Sequence, residues 1–197
     1  MIRRRTLLLA PLAVASVRAL AAQSRLSYAE SCKQLQELGL VDQGPIPPLP
    51  NHLPRYDDPG PLGVSFFKTS LDKDRLENMT LNRTFFGRSE IKAVSFKNTD
   101  LAQSNLCWND FIDVDFTDVN LESSDLRAST FSKVRFIRAN LSKADLRRSS
   151  FEGCQFDDAI LKGAIAHNHQ KAELHLSDAQ VRQVAWTNDE GSEPGGG

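Results

Sequence analysis

The amino-acid sequence predicts an all-β solenoid with four sides and about five coils. The first observation is that a large apolar residue returns at every fifth position, without an insertion, from Phe66 to Leu161. The second is that the type of apolar residue repeats after twenty positions, as it does between Phe116 and Phe136. The third is that the residue two positions before each of these centres is mostly small, as Val114 is.

A period of five excludes the two regular elements. On an α-helix five residues advance by about 500°, so the centres would form no common face. On a straight strand each odd step would turn the side chain to the opposite face. Short extended segments separated by corners point every centre inward, and four such segments complete a coil of twenty residues. Residues 64–166 then form five stacked coils, roughly 20–25 Å tall at the usual strand spacing.

Two consecutive segments carry a resemblance to a known family. Residues 139–143 (ANLSK) and 144–148 (ADLRR) resemble the pentapeptide-repeat consensus A-(D/N)-L-x-x. The resemblance implies a right-handed quadrilateral β-helix. It implies little about function, because the family includes topoisomerase-binding quinolone-resistance proteins beside many uncharacterised members. Asp74 departs from the pattern at an inward position, where an unpaired carboxylate is costly, so we expect the first coil to be irregular.

Residues 1–21 have the layout of a secretory signal peptide. Three arginines at positions 3–5 precede an apolar run over residues 7–17, and the sequence Ala-Leu-Ala at 19–21 supplies small residues at positions 19 and 21. The run is too short to span a bilayer, and the arginines also fit a twin-arginine signal loosely. The alternatives are a disordered basic tail or a wrongly assigned start. We favour export and expect a periplasmic protein with no transmembrane span.

Residues 22–63 are predicted to form an N-terminal helix followed by a proline-rich cap. Ser27 and Glu30 have the spacing of a capping box at a helix start. Seven prolines between positions 45 and 61 require an extended or turning chain. Such a run could be a polyproline II recognition ligand, but its interleaved apolar residues favour a segment that lies along the solenoid. Together the helix and this segment would cover a strand edge that invites aggregation.

Residues 167–187 are predicted to be a connector and a second capping helix. Ser177 and Gln180 again have capping-box spacing, and Trp186 follows the helix. This helix should close the C-terminal edge or form a homodimer contact. Residues 188–197 have too little apolar content to order themselves, so we expect a disordered tail.

The sequence contains no catalytic constellation that its context supports. His167, His169 and His175 could in principle hold a metal, but they lie in a polar connector and we interpret them as solvated loop residues. The formal net charge of −1 gives no reason to expect nucleic acid or an anionic membrane as partner. We therefore predict no enzyme, no cofactor, no metal and no small-molecule substrate.

The three cysteines are expected to differ in environment. Cys107 follows a centre and should face outward, and Cys32 lies on the apolar face of the N-terminal helix. In an exported protein an exposed thiol rarely stays reduced. The sequence therefore predicts a disulfide between Cys32 and Cys107, while Cys154 packs inward as a buried thiol.

An outward tryptophan flanked by arginines suggests a partner-binding surface. The residues one and two positions after the centres of the first side form outward ladders, and Trp and Arg are enriched at interface hot spots. An alternative is that the N-terminal segment covers Trp108. The residues predicted to bind an unidentified protein partner are Arg88, Trp108, Ile112, Arg127, Arg147 and Arg148.

Charge on the outer surface is divided into zones, which bears on function. Residues 99–126 carry seven acids and no Lys or Arg, whereas residues 127–148 carry seven basic residues and one acid. The zones could attract each other between adjacent coils or form a recognition surface. We predict an exported, non-enzymatic interaction or scaffold module. The alternative is a DNA-mimicking protein that binds gyrase or another topoisomerase, which would need acidic charge along most of the solenoid and a cytoplasmic location.

Overall fold

The computed structural model describes residues 24–59 and 62–188. Short strands and corners dominate these ranges, and short helices lie at both ends of the solenoid. In chain order the elements are α1 (Tyr28–Glu37), β1 (Ser65–Phe67), β2 (Ser70–Asp72), β3 (Phe85–Gly87), β4 (Glu90–Lys92), β5 (Asp110–Ile112), β6 (Thr130–Ser132), β7 (Ser150–Glu152), β8 (Ile165–His167), a 3₁₀ turn (Asn168–Gln170), α2 (Lys171–Leu174), α3 (Asp178–Val181) and β9 (Ala185–Thr187).

All strand pairs are parallel and join residues twenty positions apart. The largest sheet has the order β2-β4-β5-β6-β7, and Phe111 pairs with Ile91 below it and Phe131 above it. Isolated bridges with the same offset run along the other sides. The predicted solenoid is confirmed, but it has about six turns rather than five, because β9 pairs with β8 and begins a further turn.

The twenty centres fill the interior of the solenoid. Each is at most 5% exposed, from Phe66 at the first coil to Leu161 at the fifth. Phenylalanine rings of successive coils stack directly: the Phe111 and Phe131 centroids lie 4.9 Å apart with an interplanar angle of 2°. This distance equals the spacing of paired strands, so one repeat length sets both the backbone ladder and the ring ladder.

Polar inward residues are satisfied by the next coil. The N–H of Ser89 donates to Oδ1 of Asn109 at 3.0 Å, and the N–H of Asn109 donates to Oγ of Ser129 at 3.0 Å. The N–H of Ser129 in turn donates to Oγ of Ser149 at 3.1 Å. A buried polar group costs stability unless it is hydrogen-bonded, and this column removes that cost within the narrow core.

Every corner uses the same backbone conformation. The residue two positions after each centre has a left-handed φ, for example 58° at Trp108 and 54° at Ala128. Glycine, asparagine and aspartate adopt this region most easily, and bulky residues seldom do. The conformation is therefore imposed by the solenoid rather than chosen by the residue type, and Trp108 occupies it at a cost.

The first coil is regular, so the expectation drawn from Asp74 was wrong. β1 and β2 pair in register with β3 and β4, and the N–H of Ser95 donates to the Asp74 carbonyl at 3.0 Å. Asp74 is half-buried. It belongs to the outermost coil, which has no further coil stacked on its other side, and its carboxylate keeps access to solvent.

The helix α1 covers the first coil. Its N-terminus has the predicted capping box between Ser27 and Glu30. The N–H of Thr80 donates to Oγ of Ser31 at 2.9 Å, and Cys32 and Leu35 are buried against the core. The helix thus contributes both hydrogen bonds and apolar surface to the end of the stack.

Candidate functional site

A proline-rich strap, residues 45–58, lies along the outside of the solenoid. The Arg83 guanidinium donates to the Pro50 carbonyl at 2.7 Å, and Nδ2 of Asn105 donates to the Pro54 carbonyl at 2.9 Å. Proline leaves the chain extended and without an N–H to satisfy, which suits a segment held through its carbonyl groups. The strap therefore covers part of the surface where the sequence predicted a binding site.

Tyr56 is the aromatic anchor of the strap. Its ring packs edge-on against Phe85 at 4.8 Å, and its hydroxyl donates to the Cys107 carbonyl at 3.2 Å. Gly87 provides the room, since a Cβ there would meet the Tyr56 hydroxyl at 2.7 Å. Burial raises the pKa of Tyr56 to about 12. The phenol is therefore a neutral hydrogen-bond donor in the physiological range.

The predicted Cys32–Cys107 disulfide is absent from the structure. Cys32, Cys107 and Cys154 are all free and all buried, and Cys107 does not face solvent as expected. Its Sγ donates to the Asp125 carbonyl at 3.7 Å, and burial raises the pKa of its thiol. The prediction failed because Cys107 lies beside the strap anchor, whereas the Cys32 side chain packs in the core beneath α1.

Trp108 and Arg88 come together at a shallow hollow on the side not covered by Tyr56. Trp108 is 41% exposed. The hollow has a volume of about 410 Å³, and Ala128 forms its upper wall. We call this the Trp108 surface; its lining residues are Arg88, Ser89, Glu90, Trp108, Asn109, Asp110 and Ala128. An exposed indole between one cation and two carboxylates can bind an apolar or a basic side chain.

The other predicted binding residues lie outside this hollow. Ile112 is half-buried at the end of β5, and Arg148 is half-buried higher on the same ladder. Arg127 and Arg147 fold back onto the carboxylates two positions before them, with Nη2–Oδ2 distances of 2.6 Å to Asp125 and 2.7 Å to Asp145 respectively. Their side chains are only 14% and 15% exposed. The repeat pattern predicted that these arginines belong to one outward surface. It gave no sign that each arginine pairs with the aspartate two positions before it.

Ion pairs connect the acidic and basic zones between adjacent coils. Asp115 is buried and contacts Lys97 at 3.0 Å and Arg135 at 3.1 Å. Asp118 and Arg138 are 2.6 Å apart on the same side of the solenoid. Attraction between coils, one of the two interpretations of the zones, therefore accounts for these charges.

The remaining predicted features concern metals and membranes. His167 is buried at the end of β8 and is not the solvated loop residue that the sequence predicted; its ring stacks against that of His169 at 5.1 Å. Within residues 24–59 and 62–188, no three side chains of His, Cys, Asp or Glu converge to hold a metal ion. In the same ranges no helix has the length and apolar character needed to cross a membrane. Residues 1–21, the predicted signal peptide, and most of the predicted tail lie outside the described residues.

Comparison with solved structures supports the solenoid fold. HetL, a pentapeptide-repeat protein involved in heterocyst differentiation regulation in the cyanobacterium Nostoc sp., has a TM-score of 0.50 and 20% identity. The match covers 52% of this chain and 48% of HetL, so the chain spans about half of the HetL length. An identity of 20% shows a similar fold and carries no statement about function.

Two further structures show weaker similarity. Rfr23, a pentapeptide-repeat protein of the cyanobacterium Cyanothece 51142, has 14% identity and a TM-score of 0.27, over 50% of this chain and 88% of its own. QnrB1, a plasmid-mediated fluoroquinolone resistance protein, has 15% identity and a TM-score of 0.22, over 63% of this chain and 83% of its own.

A family model matches the periodic stretch. No curated protein matches the sequence. The model of pentapeptide repeats matches residues 89–127 and 129–165, in eight copies. These residues are the second to fifth coils, where the apolar centres, the left-handed corners and the offset of twenty are all present. Through this stretch the chain carries pentapeptide repeats and matches the model of that family.

Proposed function

We propose that this protein is an exported, non-enzymatic interaction module that binds a protein partner through the Trp108 surface. The observation that carries the proposal is the position of Trp108, which is 41% exposed although its φ of 58° is unfavourable for a bulky residue. Members of this family are in general structural or interaction modules.

The cost of Trp108 supports a role in binding. A non-glycine residue in a sparsely populated backbone region costs on the order of 1–3 kcal/mol and persists where surrounding structure or function requires it. The equivalent position one coil higher is Ala128, so the repeat itself does not require an aromatic side chain. Exposed tryptophan beside arginine is the composition enriched at binding hot spots.

The distribution of charge favours this interpretation over the DNA mimic. A mimic presents unpaired carboxylates along the solenoid, in the spacing of phosphates. Here Asp115 and Asp118 are bound to cations of the neighbouring coils. The same ion pairs that stabilise the stack therefore reduce its net acidic surface.

Export is proposed from the arrangement of residues 1–21, in which a basic segment precedes a short apolar run. Fractionation of full-length protein carrying a C-terminal tag tests it, together with sequencing of the mature N-terminus. We expect a cleaved periplasmic product. An uncleaved cytoplasmic product would contradict export and would favour the DNA mimic.

Pull-down from an envelope extract, with quantitative mass spectrometry, tests the binding surface. Wild-type protein is compared with Trp108→Ala and with Leu38→Ala, which alters another exposed apolar residue, 49% exposed and directly after α1. We expect Trp108→Ala to lose a partner that Leu38→Ala retains. Identical partner profiles for the three proteins would reject the Trp108 surface.

A further inference from the structure

The C-terminal segment closes the last full coil with side chains. Nε2 of Gln170 donates to the carbonyls of Leu146 at 2.9 Å and Ser149 at 2.7 Å. Nε2 of Gln180 repeats this ten residues later, with the carbonyls of Phe156 at 2.6 Å and Ala159 at 3.1 Å. Two corners of the coil are thus capped by the same device.

The backbone N–H groups of the apolar centres on three of the four sides are satisfied as well. On the first side, the Leu146 N–H donates to the Ile165 carbonyl at 2.8 Å. On the second side, the Phe151 N–H donates to Oε2 of Glu173 at 3.4 Å. On the fourth side, the Leu161 N–H donates to Oε1 of Gln183 at 2.9 Å.

The third side is left open. In the coil below, the N–H groups of Phe136 and Arg138 each donate to a carbonyl of the fifth coil at 2.8 Å. The equivalent N–H groups of Phe156 and Asp158 have no acceptor among the residues that the structure describes. His175, with φ of 44°, turns the chain at the point where a sixth turn of the solenoid would place its strand on the third side. The third side therefore ends in an unpaired strand edge.

A groove of about 780 Å³ lies along this edge. Its base includes Phe156, its far wall includes Leu176 and Ala179, and Ile160, which is 50% exposed, stands at its rim. Asp157 and Asp158 also line it. The groove therefore combines two free backbone donors, apolar side chains and two carboxylates.

We propose that this groove binds an extended, basic segment of a partner protein, which adds to the third side as a parallel strand. An apolar residue of the segment faces Phe156 and Leu176, and a Lys or Arg two positions later lies over Asp158. The same corner already shows this pairing two coils lower, where Arg138 lies over Asp118 with an Nε–Oδ1 distance of 2.7 Å. Backbone hydrogen bonds supply affinity in strand addition and the alternating side chains supply specificity.

The protein's own fourth coil provides the probe. Residues 132–140 (SKVRFIRAN) already lie on the upper edge of the third coil, where the carbonyls of Arg135 and Ile137 accept from the N–H groups of Phe116 and Asp118. A synthetic peptide of this sequence therefore has the chemistry required at the upper edge of the fifth coil. The matched control peptide carries glutamate in place of its two arginines. Amide hydrogen exchange, followed by NMR on the full chain, reports the edge directly.

In the free protein we expect the amides of Phe156 and Asp158 to exchange at least about a hundredfold faster than those of Phe136 and Arg138. The SKVRFIRAN peptide should slow both by about tenfold at saturation, and the control peptide should bind about tenfold more weakly. Phe156 and Asp158 amides that are already protected, at any protein concentration, would mean that this chain or a second copy covers the edge, and would overturn the proposal.

Three variants complete the test. Ala179→Trp, which fills the groove, and Asp158→Asn, which keeps a residue suited to the left-handed corner, should each weaken peptide binding at least fivefold. Asp110→Asn, on another side, should leave it unchanged, as should Trp108→Ala, since this site is separate from the Trp108 surface. Peptide binding that survives both groove variants would place the peptide elsewhere and reject the site.

Discussion

The hydroxyl oxygen of Tyr56 lies 2.7 Å from the point that a Cβ on Gly87 would occupy. The φ of Gly87 is not in the left-handed region, so space rather than backbone freedom requires a glycine there. Gly87 therefore leaves a gap in an outward ladder of side chains, and the ring of Tyr56 from the strap occupies that gap.

Gly87→Ala should therefore release the strap. The added methyl group displaces Tyr56, which exposes Phe85 and the Cys107 thiol. We expect trypsin to cleave at Arg55 faster and a thiol reagent to label Cys107 faster than in the wild type. Gly44→Ala, whose Cβ would meet nothing within 4 Å, is the control. Unchanged labelling in Gly87→Ala would mean that the strap does not protect Cys107.

Replacement of Trp108 separates backbone strain from packing. Trp108→Gly and Ala128→Gly each place a glycine at a left-handed corner and so relieve its strain. We expect each variant to be as stable as the wild type, or more stable by up to about 1 kcal/mol. The difference between them isolates the contacts of the indole. A clear loss of stability in Trp108→Gly alone would make Trp108 a structural anchor, and the Trp108 surface would lose its main support.

Truncation of core rings should be severe. Phe116→Ala and Phe136→Ala should each cost roughly 3–5 kcal/mol, because stacked neighbours on both sides prevent the cavity from collapsing. Exposed Thr130→Ala should change stability by no more than about 0.5 kcal/mol. Chemical denaturation measures all three, and similar midpoints would contradict the assignment of inward and outward positions.

Loss of a capping glutamine should loosen the C-terminal end. Gln180→Ala leaves two carbonyls of the fifth coil without their donor, at a cost of about 1–3 kcal/mol. Exposed Gln155→Ala is the matched control and should have little effect. If Gln180→Ala melts like the control, water replaces the cap and the end is not sealed by this side chain.

Asp115 should make stability depend on acid. Burial raises its pKa, but hydrogen bonds from Thr117, Lys97 and Arg135 lower it more, so its pKa in the folded protein is below the usual value. Its contribution is therefore complete above the unfolded pKa of about 4 and is lost as the pH falls through the folded pKa. Asp115→Asn should cost about 1–3 kcal/mol at pH 7 and progressively less below pH 4.

Thermal melts of wild type, Asp115→Asn and the exposed control Asp110→Asn, from pH 7 to pH 3, measure this effect. The difference in melting temperature between wild type and Asp115→Asn should decrease as the pH falls. The difference between wild type and Asp110→Asn should stay small at every pH. A gap of constant size would show that the carboxylate charge of Asp115 does not contribute to the stack.

The periodic part of the chain was predictable because one constraint repeats at each step. A side chain such as Phe111 must point inward at every fifth residue, and the offset of twenty follows from matching residue types. Local departures were not predictable in the same way. The disulfide prediction treated Cys107 as outward because it considered the repeat alone, without the strap that packs beside it.

Signals for two missed features were present. Gly87 interrupts an outward ladder next to Phe85, a large apolar residue at a position that usually faces solvent; together they indicate a covered slot. Gln170 and Gln180 are ten residues apart, which is two sides of a coil, and this spacing indicates side chains that cap equivalent corners. The open edge at Phe156 was not predictable from the repeat, because it results from the absence of a further strand on that side among residues 24–59 and 62–188.

The constant offset of twenty has a consequence for how the chain folds. Parallel sheets usually form slowly, because their strands are distant in sequence. Here each strand finds its partner twenty residues away in a chain of 197, which corresponds to a relative contact order of about 0.1, in the range of small helical bundles. We expect folding to begin at any pair of adjacent coils and to propagate to both ends, as in other linear repeat arrays. This sheet protein should therefore reach its native state on the timescale of a helical one.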